Sequence, residues 1–87
     1  MDYSVRIKAS AAKALGRVDA VERQRLIEAI DSLREAPLRG SLLKGDLRGL
    51  RRLRVGDYRI VYEVATRELV VLVVRIGHRR DVYRGSG

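Results

Sequence analysis

The sequence of 87 residues contains no cysteine, no phenylalanine, no tryptophan and a single histidine. Without cysteine the chain has no disulfide framework, no thiolate metal site and no cysteine nucleophile, and one histidine excludes a multi-histidine zinc site. No apolar run approaches the roughly 18 residues that span a bilayer, and residues 1–10 lack a signal-peptide pattern. The 46% hydrophobic content is that of a folded chain, so we expect one cytoplasmic domain.

Arginine is the residue type that the chain has in excess. The net charge is +8, and arginine outnumbers lysine sixteen to three. The excess is localised, because residues 44–59 carry +4 and residues 75–87 carry +3. A localised excess is typical of an anion-binding surface, whereas an even spread only aids solubility. The preference for arginine has two interpretations, a GC-rich genome or bidentate recognition of phosphate.

The first half of the chain predicts one strand followed by two helices. Residues 3–8 alternate between apolar and polar side chains, which favours a half-buried strand. Ser10 is the expected N-cap of a short helix. A second helix begins with capping-box spacing at Asp19 and ends near Ala36, because Pro37 disfavours helical backbone before it. The predicted apolar stripe of the second helix consists of Leu26, Ile27, Ile30 and Leu33.

The second half of the chain predicts strands. Residues 38–49 are rich in glycine and are expected to form an irregular connection, and from Leu50 the apolar period becomes two. Residues 56–57, Gly-Asp, suit the loop of a type II′ hairpin, and residues 69–74 suit a central strand covered on both faces. The predicted fold is α+β in the order β-α-α-β-β-β, with a mostly antiparallel sheet and two N-terminal helices packed on one face.

The predicted hairpin divides its side chains between the two faces of the sheet. With residues 56–57 as the loop, Arg54 lies opposite Arg59 and Arg52 lies opposite Val61. The helix-facing set is then Leu53, Val55, Tyr58, Ile60 and Tyr62. The three arginines share the other face, where they either extend into solvent or surround an anion such as phosphate.

Two segments resemble the RelE/ParE toxin superfamily. They are RRLRVGDYRIVY at residues 51–62 and RIGHRRDVYR at residues 75–84, and the LLKG at residues 42–45 and the order of elements match as well. The first segment is typical of the whole superfamily, whereas GHRR-x-VYR points to the RelE branch. The resemblance covers nearly the whole chain and implies a single RelE-like toxin domain over residues 1–87.

The resemblance also implies a function. It identifies the toxin of a type II toxin–antitoxin pair, whose partner antitoxin carries an acidic, helical neutralising segment. RelE-like toxins cleave messenger RNA in the ribosomal A site with neither metal nor cofactor: the 2′-hydroxyl attacks the neighbouring phosphate and the 5′-hydroxyl leaves. This reaction needs a proton acceptor, stabilisation of the pentacoordinate phosphate and a proton for the leaving oxygen.

The resemblance assigns roles to five residues. Arg59 corresponds to the arginine that holds the scissile phosphate, and Arg54 to a supporting phosphate contact. Arg79 corresponds to the arginine that stabilises the phosphate or protonates the leaving group. Tyr83 corresponds to the tyrosine that stacks on the substrate nucleotide. Arg52 stands where the best-known members carry a lysine proposed as the base.

The arginine at position 52 leaves the identity of the base open. A guanidinium with a pKa above ~12 is a poor proton acceptor, so Arg52 is expected to stabilise charge, and the base is His78, Glu63 or no residue of this chain. His78 is the one side chain that titrates near neutrality when unperturbed, and a purely structural role is its alternative. Further candidate contacts to RNA are Lys44, Arg48, Arg51, Arg80 and Arg84. Ordinary solvated charge is the alternative for the first three, and contact with the acidic groups of the antitoxin is the alternative for Arg80 and Arg84.

Two rival functions remain at this point. ParE-like members inhibit DNA gyrase without chemistry, and they usually lack the full phosphate-binding set. A basic RNA-binding module without catalysis is the second rival. The coexistence of Arg52, Arg59, Arg79 and Tyr83 favours cleavage.

Overall fold

A computed structural model describes residues 2–78. The elements are β1 (Ser4–Ile7), α1 (Ala9–Gly16), α2 (Ala20–Ser32), β2 (Ser41–Leu42), a 3₁₀ turn (Gly45–Leu47), β3 (Arg51–Val55), β4 (Tyr58–Ala65) and β5 (Val70–His78). The strands form one sheet in the order β1-β5-β4-β3-β2, parallel between β1 and β5 and antiparallel elsewhere. The predicted α+β architecture is confirmed. Within residues 2–78 no helix is long and apolar enough to cross a membrane.

The core lies between the sheet and the two helices. It contains the predicted stripe residues Leu26, Ile30 and Leu33, whereas Ile27 at the margin of the stripe is exposed. The strands contribute Leu53, Ile60, Tyr62, Val71, Val73 and Ile76. We call this side of the sheet the helix face and the opposite side the open face.

The hairpin register is the predicted one. Val55 pairs with Tyr58, and Arg54 pairs with Arg59. Gly56 has a φ of 60°, whereas Asp57 has no positive φ, which fits a type II′ turn with glycine at its first central position. The chemistry of the turn therefore fixes which side chains face the helices.

The predicted start of the first helix and the predicted end of the second need correction. The first helix begins at Ala9, so Lys8 and not Ser10 occupies the N-cap position. Asp19 is the N-cap of α2, but its side chain makes no capping hydrogen bond. This helix ends at Ser32, four residues before the predicted Ala36. Proline sets only an outer limit to a helix, and the chain turns earlier to reach the sheet.

The segment between α2 and β3 is tied to the sheet by Tyr62. The Tyr62 hydroxyl donates to the Pro37 carbonyl at 2.8 Å and accepts from the Gly40 amide at 2.8 Å. A Cβ at Gly40 would lie 2.7 Å from both the Arg52 carbonyl oxygen and the Tyr62 hydroxyl, so only glycine fits this approach. The connection predicted as irregular also contains the two-residue strand β2, which carries no periodicity that a sequence pattern reveals.

The last described strand, β5, lies between β1 and β4, so it is an interior strand as predicted, but only one of its faces is fully covered. Its first residues alternate between buried Val71 and Val73 on the helix face and half-buried Leu72 and Val74 on the open face. The uninterrupted apolar run therefore reflects one fully covered face and one partly covered face.

Candidate phosphate-binding face

The strand pairing gathers arginines on the open face. One row across the sheet contains Arg52, Val61 and Arg75, and the next row contains Arg54, Arg59 and Gly77. Residues directly paired across neighbouring strands project to the same side of a sheet. The structure thus brings together the three predicted hairpin arginines and adds Arg75.

A bulge in β5 determines which way Arg75 points. Val61 pairs with Arg75 but Tyr62 pairs with Val73, so Val74 is an extra residue in the register. If side chains alternated strictly from buried Val73, Arg75 would face the helices. One extra residue in a strand exchanges the two faces of the sheet for every residue after it. The extra residue restores the correct parity: Ile76 is buried on the helix face and Arg75 is exposed.

Arg59 lies at the centre of the arginine cluster. Its side chain is half-buried and its Nε atom is buried. The residue opposite on β5 is Gly77, which projects no side chain over the sheet. The residue opposite on β3 is Arg54, which is exposed at the sheet edge because β2 pairs only with residues 51–52.

The juxtaposition of like charges is informative about function. Arg54 and Arg59 face each other directly, and such a pair costs up to ~1 kcal/mol relative to neutral residues. An anion placed among guanidinium groups reverses the sign of this interaction through charge-assisted hydrogen bonds. The arrangement is therefore suited to a phosphate group. Within residues 2–78 no group of three or more histidine, aspartate or glutamate side chains is placed to hold a metal ion.

A small cavity lies beside the arginine rows on the same face. Its volume is about 220 Å³, and it is lined by Lys8, Leu47, Leu50, Val61, Val74 and Arg75. The two leucines belong to the segment around the 3₁₀ turn and cover Val61, which is only 2% exposed although it lies on the open face. The floor of the cavity is thus apolar and its rim is cationic.

Two predicted site residues lie elsewhere. His78 pairs with Tyr58 on the helix face, and the two rings meet edge to face with centroids 5.7 Å apart. Arg51 is also displaced from the cluster, because its guanidinium donates to the carbonyls of Gly40 at 2.8 Å and Leu38 at 3.4 Å. Both residues adjoin the arginine cluster in sequence, but the pleat directs them to the other side.

Three further predicted residues lie on or beside the open face. Glu63 is exposed on this face, two residues along β4 from Val61. Lys44 and Arg48 are exposed and flank the 3₁₀ turn whose Leu47 lines the cavity. The remaining predicted residues, Arg79, Arg80, Tyr83 and Arg84, lie outside the described residues.

Sequence reasoning did not single out Arg75 or Lys8 as site residues. The signal for Arg75 is its place between Val74 and Ile76 at the end of an apolar run, because an arginine there has to stay out of the core while Ile76 enters it. The signal for Lys8 is the alternation of β1, which places Ser4, Arg6 and Lys8 opposite the core-facing Val5 and Ile7. Neither signal was decisive without knowledge of the neighbouring strands.

Comparison with known proteins agrees with this fold. The sequence profile of the family described as the ParE toxin of the type II toxin–antitoxin system parDE matches residues 5–83. The chain belongs to the ParE toxin family. It is therefore a toxin of a type II toxin–antitoxin system, within the RelE/ParE superfamily.

Two curated relatives and two solved structures are similar over most of their length. The chain is 33% identical to toxin RelG of Mycobacterium tuberculosis, covering 97% of this chain and 99% of that protein. It is 36% identical to toxin RelE of the same organism, covering 94% and 87%. The structure of the M. tuberculosis RelBE2 toxin–antitoxin complex superposes with a TM-score of 0.85 at 29% identity, over 93% of this chain and 95% of that one. The archaeal RelE–RelB complex from Pyrococcus horikoshii gives a TM-score of 0.76 at 30% identity, over 93% and 99%.

Proposed function

We propose that this toxin is an endoribonuclease that enters the ribosomal A site and cleaves messenger RNA there. The observation that carries the proposal is the placement of Arg52, Arg54, Arg59 and Arg75 on one open face from three neighbouring strands. Guanidinium groups bind phosphate bidentately and remain charged throughout a reaction. Because its target is in the cytoplasm, the protein acts in that compartment.

The reaction divides into charge stabilisation and proton transfer. Arg59, at the centre of the cluster, binds the scissile phosphate and stabilises the charge that develops as the 2′-hydroxyl attacks. Arg52 and Arg54 contribute further positive charge. Of the two proposed proton acceptors, Glu63 shares the open face with the arginines, whereas His78 lies on the helix face with Tyr58.

The remaining catalytic assignments rest on the resemblance. Arg79 stabilises the phosphate or protonates the leaving oxygen, and Tyr83 stacks on the substrate nucleotide. Both residues fall within the part of the chain that matches the family profile. Arg80 and Arg84 add positive charge for contact with RNA.

The proposed protein partner is an antitoxin with an acidic, helical segment. The solved relatives are complexes of RelE toxins with RelB antitoxins, and the net charge of +8 of this chain attracts an acidic partner. Co-purification with the product of an adjacent gene that encodes a small acidic protein tests this assignment.

Gyrase inhibition is the second candidate function. It is favoured by one observation, that the matching family profile carries the ParE name. Loss of gyrase supercoiling with translation unaffected would establish it in place of cleavage.

The test maps the 5′ ends of messenger RNA on programmed ribosomes after addition of purified protein. The wild type is expected to produce a new end within the A-site codon, and a 2′-deoxynucleotide before the cut is expected to abolish it, because the attacking hydroxyl is missing. Arg59→Ala is expected to remove the new end and growth arrest. Arg79→Ala is expected to do the same.

The matched control is Arg67→Ala, which removes an exposed arginine from the turn between β4 and β5. It is expected to cleave like the wild type with an unchanged melting temperature. Uncut message despite tight ribosome binding would replace the nuclease with a binding module. Unchanged toxicity of Arg59→Ala and Arg79→Ala would remove the catalytic assignment.

A further inference from the structure

We propose that the cavity lined by Lys8 and Arg75 is a second nucleotide subsite, next to the one that holds the scissile phosphate. In this subsite one base of single-stranded RNA packs on the apolar floor, and the phosphate of that nucleotide lies between the Lys8 ammonium and the Arg75 guanidinium. The inference rests on the proposed nuclease function and specifies where the strand runs after it leaves Arg59.

The position of the cavity relative to the arginine cluster supports this path. Val61 forms part of the cavity floor and pairs with Arg52 on one side and Arg75 on the other. The row of Arg59 is two residues away along β4, which corresponds to about 7 Å. Neighbouring phosphates of one extended strand bridge a separation of that order.

The size and lining of the cavity indicate what it holds. Its volume of about 220 Å³ is below the roughly 300–1,000 Å³ of pockets that enclose whole small molecules. It therefore suits one planar ring rather than a complete cofactor or a peptide helix. Leu47, Leu50 and Val74 offer apolar surface to the ring face, and the two cations are confined to the rim.

The fold fixes Lys8 at the rim. The backbone amide of Lys8 donates to the Val73 carbonyl at 2.8 Å, which holds the end of β1 against β5 beside the bulge. Lys8 is also the N-cap of α1, and its side chain makes no capping hydrogen bond. The ammonium is exposed and adds a positive charge at the end of β1, beside the arginines of β3, β4 and β5.

An acidic antitoxin segment is the other class of ligand that positive charge attracts. The observations favour RNA, because the cavity shares a row with Arg52 and is scaled to one ring. Carboxylate side chains of a protein partner need the cationic rim but make no use of an enclosed apolar floor.

The first arm of the test measures binding of a short single-stranded 2′-O-methyl RNA, which cannot be cleaved by 2′-hydroxyl attack. Lys8→Met removes the charge but keeps an unbranched side chain. We expect it to weaken binding about three- to tenfold and to reduce the slope of log K against log salt by about 0.7, the value for one phosphate contact on a single strand. Lys8→Arg is expected to retain the wild-type slope.

The matched control for the first arm is Lys13→Met, which removes an exposed lysine from the last turn of α1, away from the cavity lining. It is expected to leave affinity and salt slope close to wild type. An equal effect of Lys8→Met and Lys13→Met would show that only net charge matters and would overturn the subsite.

The second arm tests the base. Abasic nucleotides are introduced one position at a time, and one position is expected to weaken binding about five- to tenfold, in the lower range for loss of a base contact because the floor is aliphatic. Leu47→Trp, which fills the cavity from a half-buried loop position, is expected to abolish that position dependence. If Leu47→Trp does not fold, Leu50→Phe replaces it.

The outcomes separate this proposal from the proposed function. Cleavage on ribosomes together with equal effects of every abasic position overturns the subsite and leaves the nuclease intact. Position-dependent binding without ribosomal cleavage supports the subsite and contradicts the nuclease. Absence of measurable RNA binding at low salt, or a Lys8→Met variant that weakens only the antitoxin complex, overturns the subsite.

Discussion

The helix face and the open face of the sheet are built from alternate residues of the same strands but have opposite character. On the helix face Leu53, Ile60 and Tyr62 are at most 7% exposed and belong to the core between the sheet and the helices. On the open face their immediate neighbours Arg52, Arg54 and Arg59 carry like charges, and Arg54 faces Arg59 directly. Burial of apolar surface stabilises the first arrangement, whereas direct pairing of like charges in the second is unfavourable and an anion among them would offset it. Folding therefore depends on the helix face, and the proposed function depends on the open face.

The largest expected effect is a difference in stability between alanine substitutions at two neighbouring residues of β4, one on each face. Ile60→Ala removes a side chain that is 0% exposed and is expected to lower the free energy of unfolding by about 2–5 kcal/mol. Arg59→Ala is expected to lower it by less than about 1 kcal/mol. Chemical denaturation measures both, and an equal loss in the two variants would contradict the division between faces.

A smaller effect is expected for the hydroxyl of Tyr62. Tyr62→Phe leaves the buried amide of Gly40 without its acceptor and the Pro37 carbonyl without its donor. The expected cost is about 1–3 kcal/mol in the free energy of unfolding. Tyr58→Phe, whose hydroxyl takes no part in these two bonds, is the control, and an equal loss in both variants would show that the tie is unimportant.

The same tyrosine predicts a component of alkaline instability. Burial raises the pKa of Tyr62 above the ordinary tyrosine value of 10.0, against the smaller lowering effects of the Gly40 amide and the charges of Arg51 and Arg39. The raised pKa means that the folded state keeps the phenol protonated while the unfolded chain ionises. The associated stability is complete below pH ~10 and is lost as the pH rises through the folded-state pKa. Wild type is expected to lose more stability than Tyr62→Phe above pH ~10 in denaturation series; parallel curves would contradict this.

The smallest effect is expected for deletion of Val74. Without the extra residue, Val61 pairs with Arg75 and Tyr62 with Val73 in an uninterrupted ladder, so both faces keep their side chains. The deletion is expected to fold, with a loss of about 1 kcal/mol from the half-buried side chain. Deletion of Ile76, which is buried in the core opposite Ile60, is the contrasting variant and is expected to be severely destabilised, because Gly77 or Arg75 would take its place. Equal stability of the two deletions would show that the bulge does not set the parity.

Local patterns in the sequence sufficed to predict the helix face. The alternation around Gly56 gave the correct hairpin register, and the helical period of Leu26 and Ile30 gave the correct buried stripe. These features depend on the chain within one or two elements. Local sequence rules describe such features well because the period of a strand or helix is fixed by backbone geometry.

The open face depended on contacts that no local pattern contains. The orientation of Arg75 follows from a bulge opposite β4, and the position of Lys8 follows from parallel pairing between the first and last described strands. The end of α2 at Ser32 follows from the tie of residues 37–40 to Tyr62, not from Pro37 alone. His78 is close to the basic segment in the sequence but lies on the other face of the sheet, because the pleat places it beside Tyr58.

The cleavage rate constant of Arg59→Ala on programmed ribosomes, measured beside its free energy of unfolding, tests the division of the sheet most directly. We expect the rate constant to fall by about 10²–10³-fold, as for loss of one donor to a developing negative charge, while stability changes by less than about 1 kcal/mol. A rate constant within a few-fold of wild type in a folded Arg59→Ala protein would show that the open face is not where the phosphodiester is cut.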